Sequence, residues 1–221
     1  MKKMVFGVTG ITVLALNGAV FYSAQAGSSP KSISIAASIK AAKWNPTVKL
    51  TYAKTSVIME PTGIPNHVRD EYYAVPNQGV VVPDANTANI VKDPTKAQTY
   101  KFTIPSTPKY LSKTTTTSLG SIGVMISGAV LYNPFEGDGT TVAMANNFTI
   151  TKDGITASFI DKCAGHPGPN VGAYHYHGLP NCVTAKVDKA SKPSHIIGYA
   201  LDRSEEHTSE LQSHSFISYA V

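Results

Sequence analysis

CAGHPGPNVGAYHYHGLPNC, Cys163–Cys182, is the stretch on which the reading of this chain turns. Its two cysteines are the only ones in the sequence, and they bracket three of the seven histidines: His166, His175 and His177. From Tyr174 to His177 phenols and imidazoles alternate. Successive side chains of a β-strand point to opposite faces, so His175 and His177 share one face and Tyr174 and Tyr176 the other. The glycines at 165, 168, 172 and 178 and the prolines at 167, 169 and 180 supply turns on both sides. Their spacing does not match a phosphate-cradling loop leading into a helix. The stretch predicts a short strand that carries a histidine pair inside a loop pinned at its ends.

Outward from this stretch, helical periodicity is scarce and period-two alternation recurs between turn residues. Strands are expected over Val48 to Met59, Gln98 to Ile104, Ile122 to Tyr132, Asn147 to Thr151, Ile155 to Ile160, Ala173 to His177 and His195 to Leu201. Lys152-Asp153-Gly154 between two alternating runs predicts a hairpin with a tight turn of positive φ. Glu60 to Lys96, with prolines at 61, 65, 76, 83 and 94, reads as a long loop of the kind that is functional or mobile. The expected fold class is mainly β, a single β-sandwich-like or irregular β domain.

The ends read differently. Lys2 and Lys3, the apolar run Val5 to Tyr22 and Ala24-Gln25-Ala26 have the order of a secretory signal peptide, residues 1–26. Arg203 to Ser213 resembles the in-frame translation of a DNA-sequencing adapter, so 203–221 is expected to be a non-native tail, which takes His207 and His214 out of any site. The domain is then 27–202, incomplete at its C-terminal side, and its location periplasmic or secreted. In that compartment two cysteines normally pair, and closing a loop of this size stabilises a fold by about 3 kcal/mol. The formal net charge is +5, with lysines scattered rather than in blocks. Without a basic stripe interleaved with aromatics, a nucleic-acid partner is not expected. Nor is stable membrane insertion after signal cleavage; a small molecule or a surface polymer remains as partner.

Three neutral imidazoles suit a divalent transition metal, zinc or copper, and an open fourth position would let it acidify a water. The candidate ligands are His166, His175 and His177, with His67, His195 and Asp202 as further possibilities. Tyr174, Tyr176 and Asp161 are expected to line or orient the site. Two rival readings stand beside this one. In the first, a metal-free interaction or carbohydrate-binding module presents Tyr72, Tyr73, Tyr174 and Tyr176 as a contact surface. In the second, a metal-independent enzyme uses His175 or His177 as general base with Asp161 or Asp202 as its partner. No GxSxG elbow occurs, and Ser194-His195 is an improbable nucleophile and base because adjacent residues rarely face each other. Residues do not decide between enzyme and binder.

The motifs extend beyond the tetrapeptide: Gly63-Ile-Pro-Asn-His67, Lys101-Phe-Thr-Ile-Pro105, the run from Ile122 through Tyr132-Asn133-Pro134, Asp161-Lys-Cys-Ala-Gly-His-Pro167, Pro180-Asn-Cys182 and His195-Ile-Ile-Gly-Tyr-Ala-Leu-Asp202. In these the chain resembles the YHYH family, mostly bacterial exported proteins named for the sequence seen here as Tyr174 to His177. The resemblance implies export and places His67, His166, His175, His177, His195 and Asp202 within family motifs, but it implies no particular reaction. In the family the last motif runs on through Gly-Phe-Pro-Ile-Tyr-Gly; here it breaks after Asp202, where the adapter-like peptide starts.

Overall fold

The computed structural model describes residues 34–107, 116–189 and 195–201. The signal-peptide expectation for 1–26, the tail expectation for 203–221, and Ser194 and Asp202 lie outside the described residues. Strands dominate the rest, with only two seven-residue helices, in line with a mainly-β reading.

β1 (Lys49–Tyr52), β2 (Ser56–Glu60) and β5 (Phe102–Pro105) form an antiparallel sheet in the order β1-β2-β5. Between β1 and β2, Ala53 N donates to Ser56 O at 2.8 Å, so the run expected as one strand from Val48 to Met59 is a hairpin. The turn is built from Ala53, Lys54 and Thr55, none of which is turn punctuation, and pairing rather than local chemistry places it. The stretch Glu60 to Lys96 likewise contains β3 (Tyr72–Pro76) and β4 (Ala88–Lys92). Pro76 sits at the last position of β3, where a missing N–H is tolerated, so this proline marks a strand end. These two strands join β8 (Thr149–Lys152) and β9 (Ile155–Ser158) in the order β4-β3-β9-β8. The expected β8–β9 hairpin is present, and its turn residues Asp153 and Gly154 have φ of 52° and 77°, the left-handed pair that such a turn requires.

The third sheet runs β10-β11-β7-β6-β12 and carries the histidines. Its members are β6 (Ser121–Met125), β7 (Val130–Tyr132), β10 (Gly165–Pro167), β11 (Tyr174–Tyr176) and β12 (Gly198–Ala200). The run expected as one strand from Ile122 to Tyr132 is the β6–β7 hairpin, folded at Ser127-Gly128. All its pairings are antiparallel except β11 with β7. Along β6 the period-two rule divides the core. Val124 packs with Val57, Met59 and Ile104 of the first sheet, Ile39 of α1 (Ile35–Ala41) and Tyr199 of β12. Met125, its neighbour, packs with Tyr73, Leu131, Tyr174, Tyr176 and Val183 of α2 (Asn181–Val187). Each such side chain taken fully from water stabilises the fold by about 1.5–3 kcal/mol. The helix α1 has no counterpart in the sequence reading; Ser34 caps it by accepting from Ala37 N at 3.2 Å, and only Ile39 is buried.

Candidate functional site

β10 and β11 are antiparallel neighbours with His166 directly opposite His175. Residues paired across a ladder project from the same face. His177 follows two residues after His175, just beyond the end of β11. Three imidazoles therefore come together from a register and a period, with ring centroids 4.5 Å (His166–His175), 4.9 Å (His175–His177) and 5.3 Å (His166–His177) apart. One nitrogen from each ring can be chosen so that all three lie within 4.8 Å of one another. The close approach depends on Gly165: a Cβ there would lie 2.5 Å from the Tyr174 hydroxyl and 2.8 Å from the His175 carbonyl oxygen.

The hydrogen bonds fix which nitrogens are free. His175 Nδ1 lies 2.9 Å from the Ala173 carbonyl oxygen and His177 Nδ1 lies 3.0 Å from that of Asn133. A carbonyl oxygen only accepts, so in the neutral rings each Nδ1 carries the proton and each Nε2 a lone pair. Those two Nε2 atoms face each other at 3.1 Å. Neither nitrogen of His166 has a hydrogen-bond partner, although both are buried. The three rings are 5–6% exposed. Tyr132 stacks on His175 with centroids 3.9 Å apart, and Phe159 packs on His166 at 4.3 Å.

Burial opposes a charged ring. Desolvation lowers His175 to about 3, with the neighbouring His177 adding to the effect, and lowers His177 to about 4. His166 is held well below the ordinary imidazole range, first by desolvation and then by His175 and His177. At neutral pH the cluster is three uncharged imidazoles, with the lone pairs of His175 and His177 turned on each other, a donor set that can hold zinc or copper.

The tyrosine face of β11 is organised in the opposite way. Asp161, 5% exposed, accepts at Oδ2 from the hydroxyls of Tyr73 (2.8 Å) and Tyr174 (2.9 Å). Its Oδ1 accepts from the backbone N–H of Cys163 (2.8 Å) and Gly165 (3.1 Å). Burial and the Asp161 carboxylate push both phenols far above their ordinary range. Tyr176 shares its hydroxyl with Ser127 Oγ at 2.9 Å and His67 Nε2 at 2.7 Å. Tyr73, Tyr174 and Tyr176 are 0% exposed, so the contact surface expected of them in the binding-module reading does not form; they are core residues with satisfied hydroxyls. Asp161 orients the tyrosines and the turn before β10 rather than a histidine, so it is not the partner that the acid–base reading assigned to His175 or His177.

The other candidates lie apart from the trio. His67 is on the tyrosine side, beside the disulfide that joins Cys163 to Cys182. His195 is exposed and pairs with Asp188, its Nδ1 3.2 Å from Oδ1. Among the described residues, no other histidine, cysteine or acidic residue joins the cluster of His166, His175 and His177. Tyr132, the Asn133 carbonyl and Phe159 were not singled out from sequence. Tyr132-Asn133-Pro134 does end one of the family motifs, and that is the signal that could have found the first two.

Residues 101–203 match the family model described as YHYH protein. This segment contains β5 to β12, all three clustered histidines and both cysteines. Neither the curated proteins nor the solved structures gave a match.

Proposed function

We propose that His166, His175 and His177 hold one divalent transition-metal ion, zinc or copper, and that this is the central property of the YHYH segment. The observation that carries the reading is the pair of Nε2 lone pairs facing each other at 3.1 Å, each fixed by a proton donated from Nδ1 to a backbone carbonyl. Two lone pairs at that distance repel unless a cation lies between them, and the depressed basicity of both rings leaves a proton a poor choice at neutral pH. Nitrogen ligands on a tetrahedral zinc are separated by about 3.3 Å, given bonds of about 2.0–2.1 Å. Carbonyl acceptors on the remote nitrogens also match the usual orientation of metal-bound imidazoles.

The ion is enclosed by Tyr132 and Phe159, so the reading is that of a metal-holding protein, with no reaction assigned to it. We read the chain as exported as well, on a signal-peptide-like order of residues 1–26 and the Cys163–Cys182 disulfide. Outside the cell the ligand set has to compete for scarce metal, and a buried site with prearranged rings suits that demand.

Elemental analysis of purified protein after exposure to zinc and to copper tests the proposal. One equivalent of ion is expected, and His175→Ala and His177→Ala should each lower affinity at least tenfold while the far-UV spectrum stays native. Folded protein that remains metal-free under both conditions would sink the reading.

A further inference from the structure

Beyond the histidine trio, a second group of metal-capable side chains lies on the opposite side of β11. A ring nitrogen of His67, Cys163 Sγ and Cys182 Sγ all lie within 4.8 Å of one another, and His67 Nδ1 is 3.5 Å from Cys163 Sγ. We propose that reduction of the Cys163–Cys182 disulfide opens a thiol-gated metal site, with both thiolates and His67 Nδ1 as ligands for a soft or borderline divalent ion such as zinc. The site is separate from the trio and does not depend on the trio binding metal.

The geometry needs only small movements. The two Cα atoms are 5.4 Å apart. Sulfurs bound to one tetrahedral zinc at about 2.3 Å sit about 3.8 Å from each other and about 3.5 Å from a nitrogen ligand. The nitrogen already has that separation from Cys163 Sγ, so only the sulfurs need to part. Cys182, on the first turn of α2, is partly exposed and is the sulfur a reductant reaches. The Lys186 ammonium, held at the Asn66 carbonyl next to His67, adds positive charge that favours thiolates.

His67 also has a way to turn its lone pair to the metal. Nδ1 donates to the Val68 carbonyl at 2.9 Å, so Nε2 is the acceptor and the Tyr176 hydroxyl donates to it. The opposite neutral tautomer releases one proton from Nδ1 and gains one at Nε2. Nε2–H then donates to the Tyr176 oxygen, and the Tyr176 hydroxyl rotates to donate to Ser127 Oγ, already 2.9 Å away. Val68 is 81% exposed, so its carbonyl turns to water when the ring proton leaves.

The chemistry balances with a dithiol as reductant. The dithiol gives two electrons and two protons, becomes a disulfide itself, and converts the Cys163–Cys182 bond to two thiols. The divalent ion then displaces both thiol protons to solvent as two metal–sulfur bonds form.

Cobalt(II) distinguishes this site from the trio, because only thiolate ligands give the intense sulfur-to-cobalt charge-transfer band in the near ultraviolet. The protein is reduced with a phosphine, desalted anaerobically and titrated with cobalt(II), beside the oxidised protein. The band is expected in the reduced sample alone, with the intensity of a single thiolate-bound cobalt per chain at saturation, and His67→Ala should weaken binding at that site at least tenfold. Absence of the band from reduced protein overturns the proposal, as does a band that His67→Ala leaves unchanged. Unfolding on reduction that cobalt or zinc fails to reverse overturns it too. A trio that binds no metal leaves the band untouched, so the two readings fail separately.

Discussion

The two faces of β11 carry equally buried aromatic rings and treat them in opposite ways. On one face Tyr174 and Tyr176 give every hydroxyl a partner, through Asp161, Ser127 and His67. On the other, His175 and His177 spend their only protons on backbone carbonyls and turn lone pairs toward each other, while His166 has no partner at all. A buried polar group without a partner costs free energy. The tyrosine face is complete in itself and holds the fold; the histidine face leaves its lone pairs open, and the proposed metal is what would complete it.

The sharpest test of that contrast is Asp161→Ala. It strands two phenol hydroxyls and two backbone N–H groups in the core, each worth about 1–3 kcal/mol, so a loss of at least about 3 kcal/mol is expected in urea unfolding. A loss under about 1 kcal/mol would show that the tyrosine face does not carry the fold. Gly165→Ala should cost about 1–3 kcal/mol, the usual penalty for overpacking, because the new methyl meets the Tyr174 hydroxyl and the His175 backbone. Since it wedges β10 from β11, it should also weaken metal binding. A destabilised variant that binds metal as the parent does would separate the two faces.

A third test is acid on the metal-free protein, read as a slope rather than as a single loss. Folded His175 and His177 titrate near 3 and 4, against about 6.5 unfolded. Between those values the unfolded chain binds more protons, so this stability is fully present above pH 6.5 and falls as pH drops toward 4. The slope reaches at most about 1.4 kcal/mol per pH unit for each ring. His175→Ala should flatten it in urea unfolding measured from pH 7 to pH 4.5; an unchanged slope would place the titrating group elsewhere.

Much of this arrangement was legible in the sequence because it rests on local rules. Alternation placed the tyrosines and histidines on opposite faces, and Asp153-Gly154 announced its turn. The cysteine pair followed from count and compartment. What stayed hidden depends on pairing between distant segments. Nothing in the local sequence says that His166 sits opposite His175, that β7 runs parallel beside β11, or that the Asn133 carbonyl lies where His177 needs an acceptor. The tyrosines misled for a related reason: Tyr72 and Tyr73 read as surface aromatics in a loop, whereas β3 draws Tyr73 to the Asp161 carboxylate from 88 residues away in sequence.

The cysteine bridge has a consequence for durability. Its 19-residue span covers β10, β11 and the connecting turn, so His166, His175 and His177 all sit on one covalent ring. The turn is the weak point to a protease, since Val171 is 57% exposed there. A single cut at that turn leaves a nicked chain whose halves stay tied together, with His166 on one side of the break and the histidine pair on the other. The histidine cluster would survive a lesion that, in an unbridged loop, would leave His166 and the pair held together only by packing.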